Sequence, residues 1–396
     1  MKIAHVQTYF QPQLGYQEYY LAKKQQEMGH EVCVITSDRY ASYPDFSKTV
    51  GSILGERYVG RGTFIEEGLK VVRLPLVFEI GSENVLLGLR CALADFGPDI
   101  VHAHGATAPT TMAAIMFKVT LHYKVVVDCH MDYSLESKSK IRSTIFYLWS
   151  RNPLCRWILK RADGYIAVAE SARRWLSREW GICYDKIQII PLGADRSLFS
   201  PSMLKRRMMR KKLGVDNEDV LIVYAGKLIP EKDIEILLHA AAPLIDKHRN
   251  VKVLLIGDGP KEYMGKLLRL VDEYKIRRNV LFYPFQHKTV LPEYYNAGDV
   301  GVWPGQDSIT IVEAMATGLP IIIPRSYRNF HYIENNNGVN FTRGNSKELM
   351  ECLEQLVADE DLREKMSTKG RELVEGKLSW NAIAKQTVGL YQKILA

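Results

Sequence analysis

Residues 305–320, GQDSITIVEAMATGLP, are the stretch whose residue types point most directly to chemistry. They follow an apolar run ending at Val302 and predict a short helix that opens with polar residues and stops at Gly318. The start of a helix leaves backbone N–H groups and the positive end of the helix dipole available to an anion. Glu313 would lie about one turn inside, within reach of a hydroxyl beside that anion. A pyrophosphate flanked by a ribose and a sugar would satisfy both features.

Two lysines in residues 224–238, YAGKLIPEKDIEILL, supply positive charge near a second strand end. Lys227 ends a predicted strand and Lys232 opens the next helix, so both side chains can converge on one site. Cations on either side of a leaving nucleoside diphosphate would neutralise charge as a glycosidic bond breaks. Solvated lysines in an ordinary loop are the alternative interpretation.

Three residues in the first half of the chain follow predicted strands. Gly15 lies in a strand-to-helix turn, where it would let the backbone approach a phosphate, although turn conformation alone also favours glycine. His130 follows a strand at the sheet edge where open α/β folds bind ligands, and a histidine satisfied under a loop is the alternative. The pair His102 and His104 could bind a metal, but no carboxylate or cysteine nearby completes a ligand set, so no metal site is expected.

Apolar β-branched runs alternate with helical patterns along most of the chain, which predicts an α/β fold with parallel sheets. This alternation of strand and helix patterns is interrupted between residues 195 and 215. We therefore predict an N-terminal domain at 1–195, a linker at 196–218, a nucleotide-binding domain at 219–378 and a C-terminal helix at 379–396, with a ligand cleft between the domains. The predicted strands are 2–6, 32–36, 70–74, 100–102, 124–128, 164–167, 186–190, 220–225, 251–256, 280–282, 300–303 and 320–323.

Bulk composition narrows the class of protein. The 396 residues are 46% hydrophobic and 25% charged, as in a soluble globular protein of two domains. No apolar run approaches the roughly 20 residues that span a bilayer. The six cysteines are scattered and the first residues lack a signal-peptide pattern, so we expect a cytoplasmic protein without disulfides or a zinc site.

A net charge of +8 and a pI of about 9.0 indicate an anionic partner. No nucleic-acid-binding pattern is present, so a phosphorylated small molecule or an anionic membrane is favoured over nucleic acid. Residues 138–161 interleave basic residues with Ile, Phe and Trp, as expected of a segment lying on an anionic membrane or of an ordinary amphipathic helix pair. Residues 205–212 add six positive charges, which a solvated helix face would also explain.

The order of these blocks resembles the retaining GT-B glycosyltransferases of family 4, also called glycosyl transferases group 1. The resemblance extends to GHEVCVIT at 29–36, to residues 162–171 and 189–199, and to Gly257-Asp-Gly259 followed by Phe285. Gly305 stands where these enzymes carry the first of two Glu residues, and Lys227 stands where they carry an Arg. Tyr16 replaces the second glycine of their first loop.

The resemblance implies two Rossmann-like domains facing across a cleft, and metal-independent transfer from a nucleotide-diphosphate sugar with no cofactor. It implies a hydroxyl acceptor on a glycan or lipid-linked molecule, as in polysaccharide biosynthesis. Together with such an acceptor, the basic and apolar residues of 138–161 predict peripheral attachment to the inner face of the membrane. Lys227, Lys232 and His130 would then be catalytic, with Glu313 on the nucleotide ribose. The implied donor-binding residues are Gly15, Gly257, Phe285, Asp307, Ser308, Ile309, Thr310 and Glu313.

Three rival functions stay open. A sugar-nucleotide epimerase or a phosphorylase would share the fold, although no pyridoxal-phosphate lysine setting is recognisable. A non-catalytic sugar-nucleotide-binding subunit is the third, and Gly305 in place of a Glu is the feature that favours it. Asp307 is the candidate substitute for the missing Glu, with a helix cap as its alternative role.

Overall fold

The computed structural model of the chain describes residues 1–42, 46, 50–80, 83–133, 152–326 and 328–396. The chain forms two compact units, Met1–Pro191 with Trp380–Ala396, and Leu192–Ser379. Each unit is built on a sheet of mainly parallel strands separated by helices. The α/β class and the two Rossmann-like domains expected from the sequence are confirmed.

The first unit contains an eight-stranded sheet and a separate two-stranded hairpin. Its described helices are α1 (Gln17–Glu27), α2 (Gly51–Leu54), α3 (Leu89–Phe96), α4 (Pro109–Leu121), α5 (Pro153–Leu159), α6 (Glu170–Trp180) and the C-terminal α14 (Trp380–Leu395). Its strands are β1 (Lys2–Val6), β2 (Glu31–Ser37), β3 (Gly62–Glu66), β4 (Leu69–Leu74), β5 (Leu76–Ile80), β6 (Glu83–Leu86), β7 (Ile100–Ala103), β8 (Lys124–Cys129), β9 (Gly164–Ala167) and β10 (Ile187–Ile189).

The strand order of this sheet is β10-β9-β8-β7-β1-β2-β4-β3, and only the β3–β4 pair is antiparallel. The central strands are buried on both faces, as in β8, where Val125, Val126 and Val127 are fully covered. Connections run outward in both directions from the β1–β7 pair, which makes that pair the topological switch point. The carboxyl ends of β1, β7 and β8 therefore lead toward Gly15, His104 and His130.

The second unit contains a six-stranded sheet in which every pair is parallel. Its helices are α7 (Met203–Leu213), α8 (Ile234–Lys247), α9 (Lys261–Glu273), α10 (Leu291–Ala297), α11 (Thr310–Ala316), α12 (Ser346–Ala358) and α13 (Glu360–Leu373). Its strands are β11 (Val220–Ala225), β12 (Val251–Ile256), β13 (Val280–Tyr283), β14 (Val300–Val302), β15 (Ile321–Pro324) and β16 (Gly338–Phe341).

The order β13-β12-β11-β14-β15-β16 is that of a dinucleotide-binding Rossmann sheet. Its switch point lies between β11 and β14, whose register pairs Ile222 with Val300. Folds of this order bind ligands outside the carboxyl ends of the strands at that point. Residues 226–233 follow β11 there, and residues 303–310 follow β14.

Residues 196–218, predicted as a linker, belong to the second unit, and about half of their length is the helix α7. They belong to this unit because a buried ion pair holds α7 in place, which the basic residues of 205–212 do not reveal in the sequence. Arg210 is nearly fully buried and donates to the Asp299 carboxylate at 3.1 Å and to the Ala297 carbonyl at 2.9 Å. The C-terminal helix α14 belongs to the first unit, where the Trp380 ring stacks on Tyr20 with a centroid separation of 5.4 Å.

Candidate functional site

Lys232 links the segment that follows β11 to the segment that follows β14, at the switch point between these two strands. It ends the single 3₁₀ turn Pro230–Lys232, and its ammonium donates to the backbone carbonyls of Gln306 at 2.8 Å and Asp307 at 2.7 Å. Burial lowers the pKa of Lys232 to about 8, although the Asp307 carboxylate acts in the opposite direction. The side chain therefore still carries its charge at neutral pH, beside residues 305–310. Lys227 follows β11 directly and is exposed.

Gly305 is held by close backbone packing, which explains why no glutamate stands there. A β-carbon at this position would lie 2.5 Å from the carbonyl oxygen of Glu231 and 2.5 Å from the carbonyl carbon of Lys232. The Gln306 N–H also donates to the Glu231 carbonyl at 3.0 Å. A side chain at 305 would force these two segments apart, so the missing Glu is a consequence of how the Lys232 turn approaches.

Asp307 does not cap the following helix, so the cap interpretation is wrong. Helix α11 begins at Thr310 without a side-chain capping hydrogen bond. The Asp307 carboxylate instead accepts from Asn329 Nδ2 at 3.0 Å and lies 3.2 Å from Arg328 Nε. Asp307 thereby connects residues 305–310 to the segment that follows β15. Ser308 and Ile309 lie between Asp307 and the start of α11, and both are partly exposed.

The Thr310 hydroxyl points toward the end of β11. It donates to the Ala225 carbonyl at 2.8 Å and accepts from the indole N–H of Trp303 at 3.0 Å. Trp303 is fully buried and its N–H also lies 3.0 Å from the same carbonyl. These contacts fix the start of α11 against the strand, which is a structural role for both side chains.

Glu313 is a buried carboxyl on α11, only 8% exposed. Burial raises the pKa of Glu313 to about 8, and Lys288 opposes only part of that change. The group is therefore mostly protonated at neutral pH in the ligand-free protein. A bound hydroxyl that donates to the carboxylate would favour the ionised form.

Gly257 and Phe285 lie at the ends of neighbouring strands. A β-carbon on Gly257, whose φ is +147°, would lie 1.8 Å from the Gly226 carbonyl oxygen, so close approach of two backbones requires glycine here. The Phe285 N–H donates to the Asp258 carboxylate at 3.1 Å, and its ring is half exposed. Both residues lie beyond the carboxyl ends of their strands, at the same edge of the sheet as the residues that follow β11 and β14.

Gly15 closes the 3₁₀ turn Pro12–Leu14 in the first unit with a left-handed φ of 69°. Its N–H donates to the Pro12 carbonyl at 3.0 Å. The conformational explanation for this glycine therefore holds, and a phosphate-binding role would be additional to it.

His130 lies beside Asp128, a fully buried carboxylate that the sequence analysis did not single out. The His130 side chain is 40% exposed, and its Nε2 is 3.6 Å from Asp128 Oδ2. Burial alone would raise the pKa of Asp128, but the neighbouring imidazoles of His104, His130 and His102 hold it well below its usual range. The Gly105 N–H donates to the other carboxylate oxygen at 2.8 Å. His130, which is partly exposed, therefore lies beside a buried carboxylate that is ionised.

The protonation of His104 follows from a chain of hydrogen bonds that starts at Asp128. His104 Nδ1 lies 2.6 Å from the carboxylate, its Nε2 lies 2.9 Å from His5 Nδ1, and His5 Nε2 lies 2.7 Å from Gln25 Oε1. Because an amide oxygen and a carboxylate only accept, His5 donates to Gln25 and His104 donates to Asp128. Burial and the neighbouring imidazoles of His104 and His102 lower the pKa of His5 well below its usual value, so His5 is neutral and its other nitrogen accepts from His104. His104 therefore donates from both nitrogens and is the imidazolium. Burial opposes this charge, but Asp128 and Glu18 raise the pKa of His104 overall.

A second chain returns to the same carboxylate through the C-terminal helix. Gln25 Nε2 donates to the Tyr391 hydroxyl at 3.4 Å, and that hydroxyl lies 2.5 Å from His102 Nδ1. His102 Nε2 is 3.4 Å from Asp128 Oδ2. Burial lowers the pKa of His102 to about 4, so this ring is neutral. Hydrogen bonds thus link six buried side chains in a chain whose two ends, His102 Nε2 and Asp128 Oδ2, lie 3.4 Å apart without a hydrogen bond between them. This set, here called the polar ring, consists of Asp128, His104, His5, Gln25, Tyr391 and His102.

The expectation that no carboxylate accompanies His102 and His104 is wrong, because Asp128 contacts both. His5 joins them, and the three imidazoles each place a nitrogen within 4.8 Å of the other two. The His102 and His104 rings are stacked, with planes 13° apart, so their in-plane lone pairs run nearly parallel and do not converge on one point. The geometry therefore suits hydrogen bonding better than metal ligation.

Four further polar residues that interact with His102, His104 or one another escaped sequence reasoning: His5, Glu18, Gln25 and Tyr391. Glu18 is buried on α1, and burial raises its pKa, with His104 and His130 acting in the opposite direction. Gln7 donates to its carboxyl at 2.8 Å. A signal was available only for Glu18, since it follows the Gly15 turn by three residues. The others are far apart in the sequence.

Among the described helices, none combines the length and the apolar character needed to cross a bilayer.

Comparison with known families agrees with this architecture. Residues 17–198 match Glycosyltransferase Family 4, and residues 205–373 match Glycosyl transferases group 1. The two matches together span most of both units, so the chain belongs to the family 4, or group 1, glycosyltransferases. It is an enzyme of the hexosyltransferase class.

Individual relatives are distant but extensive. The alpha-D-kanosaminyltransferase of Streptomyces kanamyceticus is 24% identical over 305 residues, covering 74% of this chain and 77% of that protein. The phosphatidylinositol N-acetylglucosaminyltransferase GPI3 subunit of Saccharomyces cerevisiae is 23% identical over 99% of this chain and 83% of its own length. The structure of the Anabaena HepE protein in complex with UDP is 17% identical and superposes with a TM-score of 0.77 over 99% of this chain and 100% of that chain. The shared fold is GT-B.

Proposed function

We propose that the protein transfers a sugar from a nucleotide-diphosphate sugar to a hydroxyl of a glycan or lipid-linked acceptor, with retention of configuration and without a metal. The observation that carries this proposal is the position of Lys232, which holds a partly buried cation against residues 305–310 at the β11–β14 switch point. A fixed cation there would stabilise the charge that develops on a leaving diphosphate. Lys227 would add a second positive charge from the end of β11.

The remaining donor contacts follow from the same placement. The backbone of residues 307–310 would bind phosphate oxygens, Glu313 the ribose, and Gly257 with Phe285 the base. In the first unit we propose that His130 and Gly15 take part in binding the sugar and its phosphate. No side chain is assigned as a nucleophile, so we propose front-face substitution in which the leaving phosphate accepts the acceptor's proton.

A uridine donor is the first to test. The Anabaena HepE protein has been solved with UDP and with UDP-glucose, and the yeast relative is named for transfer to phosphatidylinositol. These names support a UDP-sugar donor and a lipid-linked acceptor for this chain. A thermal-shift screen of UDP, GDP and ADP sugars tests donor binding, because a ligand that binds only the folded state raises its stability.

The rival functions differ in their products. An epimerase would convert the donor without releasing a nucleoside diphosphate, and a phosphorylase would require inorganic phosphate. A non-catalytic subunit would bind the donor and leave it intact, and the yeast relative is itself named a subunit. Gly305 gives that last alternative less support than the sequence suggested, because backbone packing accounts for the glycine.

Replacing Glu313 by Gln is expected to weaken nucleoside diphosphate binding more than it slows the chemical step, because a ribose contact is made equally in the ground and transition states. Isothermal titration with UDP and steady-state kinetics measure the two effects. An unchanged affinity would contradict the ribose role.

Proton release gives a second readout for Glu313. Its carboxyl is protonated near neutral pH in the free protein, and binding a ribose hydroxyl would ionise it. UDP binding at pH 7 should therefore release a proton and show a heat that depends on the buffer. The Glu313→Gln variant should lose this dependence.

Replacing Asp307 by Asn tests whether this carboxylate substitutes for the missing Glu. If it contacts the donor sugar, the variant should lose much of its activity or change its choice of sugar. The matched control is Arg328→Gln, which disturbs the same ion pair from the other side. Equal effects of the two variants would show that Asp307 acts by holding residues 328 and 329 in place. Normal kinetics of Asp307→Asn would show that Asp307 is not part of the donor site.

Residues 138–161 are expected to give a salt-sensitive association with anionic membranes. Residues 138–151 lie outside the described part of the chain. In the remainder, Leu154 and Trp157 on α5 are exposed, and Arg161 lies over the Trp157 ring at 4.5 Å. Surface potential contributes about 1 kcal/mol per basic residue, so several together support reversible binding. Replacing the basic residues of 138–161 by Gln should reduce sedimentation with anionic vesicles, and an unchanged bound fraction would exclude this segment.

A further inference from the structure

Helix α7 of the second unit exposes a half-surface that carries large apolar and basic side chains and no acidic ones. Met203, Leu204 and Met208 are 65%, 69% and 65% exposed. At 100° per residue they lie interspersed around the helix with the three exposed basic residues. These are Arg207, Lys211 and Lys212. The six side chains of this exposed half of α7 cover about 180° of the helix.

The opposite half of the helix is fixed to the unit, so the exposed half is held in place. Arg206 donates to the Asp299 carboxylate at 2.6 Å and to the Gly298 carbonyl at 2.8 Å. Arg210 bonds the other oxygen of the same carboxylate, and Met209 and Leu213 are buried. Two of the six positive charges in residues 205–212 thus form ion pairs with Asp299 within the unit. Three of the other four are exposed to solvent.

Helix stability alone does not account for this surface. Arg210, Lys211 and Lys212 lie in the last turn, where they interact favourably with the helix dipole. Arg207 lies outside that turn, and the dipole gives no reason for exposed Met and Leu. No other described helix exposes three large apolar side chains. The pattern is that of a short amphipathic helix whose apolar residues are flanked by basic ones.

We propose that the exposed half of α7 docks on an anionic lipid bilayer. Met203, Leu204 and Met208 would enter the boundary between headgroups and acyl chains, while Arg207, Lys211 and Lys212 would lie at the level of the lipid phosphates. The apolar residues favour a bilayer over a nucleic acid, which would need only the charges. This surface does not depend on the proposed transfer reaction, and none of its residues belongs to the segment 138–161.

The test is sedimentation of the full chain with vesicles of phosphatidylcholine, with or without phosphatidylglycerol, over a range of salt. The charge variant is Arg207→Gln, Lys211→Gln and Lys212→Gln, and its matched control is Lys275→Gln, Arg277→Gln and Arg278→Gln, which removes three exposed charges elsewhere in the same unit. The apolar variant is Met203→Ser, Leu204→Ser and Met208→Ser. Light scattering follows the oligomeric state, and UDP titration follows donor binding in solution.

We expect the wild type to bind only the anionic vesicles and the charge variant to bind about 100-fold more weakly, from roughly fivefold per basic residue. The apolar variant should also lose binding and should keep the salt dependence of what remains. The control variant should bind close to wild type, and UDP affinity should be the same in all four proteins. The proposal is overturned if the charge and control variants bind vesicles equally. It is also overturned if the apolar variant binds like wild type, which would indicate a general polyanion surface. Conversion of a dimer to a monomer by the apolar variant would assign the surface to a second copy of the chain instead.

Discussion

Replacing Lys232 by Ala is expected to lower sugar transfer by about 100- to 1,000-fold while the protein still folds. The ammonium lies at the switch point, where it would act mainly on the charge developing on the leaving diphosphate. It also holds the carbonyls of Gln306 and Asp307, so the variant loses both the cation and the restraint on that segment. Turnover, UDP affinity and the thermal midpoint should be measured on the same preparation.

Lys227→Ala separates the two contributions of Lys232. Lys227 is exposed next to the same site, so its loss should lower the rate by charge alone. Lys261→Ala, at the exposed start of α9, is the neutral control and should behave like wild type. Near-normal turnover of purified Lys232→Ala would remove this residue from the mechanism.

Replacing Asp128 by Asn is expected to destabilise the protein by about 3–5 kcal/mol and to lower activity with it, because it breaks a buried ion pair from one side. His104 and the Gly105 N–H both donate to this carboxylate, and an amide offers only one oxygen to the two donors. The change leaves His104 charged without a partner, or neutral with the polar ring broken. Denaturant unfolding measures the free energy, and kinetics at a temperature where the variant is folded measure the effect through His130.

Two graded controls show whether the polar ring acts as a unit. Tyr391→Phe removes one hydroxyl from the ring and should cost about 1 kcal/mol. Glu27→Gln removes an exposed carboxylate that pairs with Lys24 on α1 and should cost almost nothing. An Asp128→Asn variant as stable as Glu27→Gln would show that the His104–Asp128 pair is not ionised.

The central architecture could be predicted from the sequence because buried parallel strands read as continuous apolar runs, as in β8 and β11. The strands that escaped prediction are β3, β5, β6 and β16. β3, β6 and β16 carry no such run, whereas the apolar residues 76–78 of β5 were not recognised as a strand. β3, for example, is an edge strand with mostly exposed side chains. Residues 196–218 were predicted as a linker because the alternation of strands and helices is interrupted there, whereas Arg210 is buried against Asp299 and holds α7 to the second unit.

The candidate site was predictable only where it lies in continuous segments. Lys232 and residues 305–310 follow predicted strands, so their proximity follows from the topology. The polar ring draws its members from β1, β7, β8, α1 and α14, and no spacing in the sequence links His5 with Tyr391. The reason for Gly305 was equally hidden, because it depends on how closely the backbone of residues 231 and 232 approaches.

The proposed transfer reaction is tested most directly by incubating the purified protein with UDP, GDP and ADP sugars and a panel of glycan and lipid-linked acceptors, with and without a chelator. Nucleoside diphosphate release and the anomeric configuration of the product are followed together. We expect one nucleotide sugar to be consumed only with a hydroxyl acceptor, the product to retain the donor's anomeric configuration, and the chelator to have no effect. Donor conversion without diphosphate release, or tight donor binding with no turnover for any acceptor, would contradict the proposed transfer reaction.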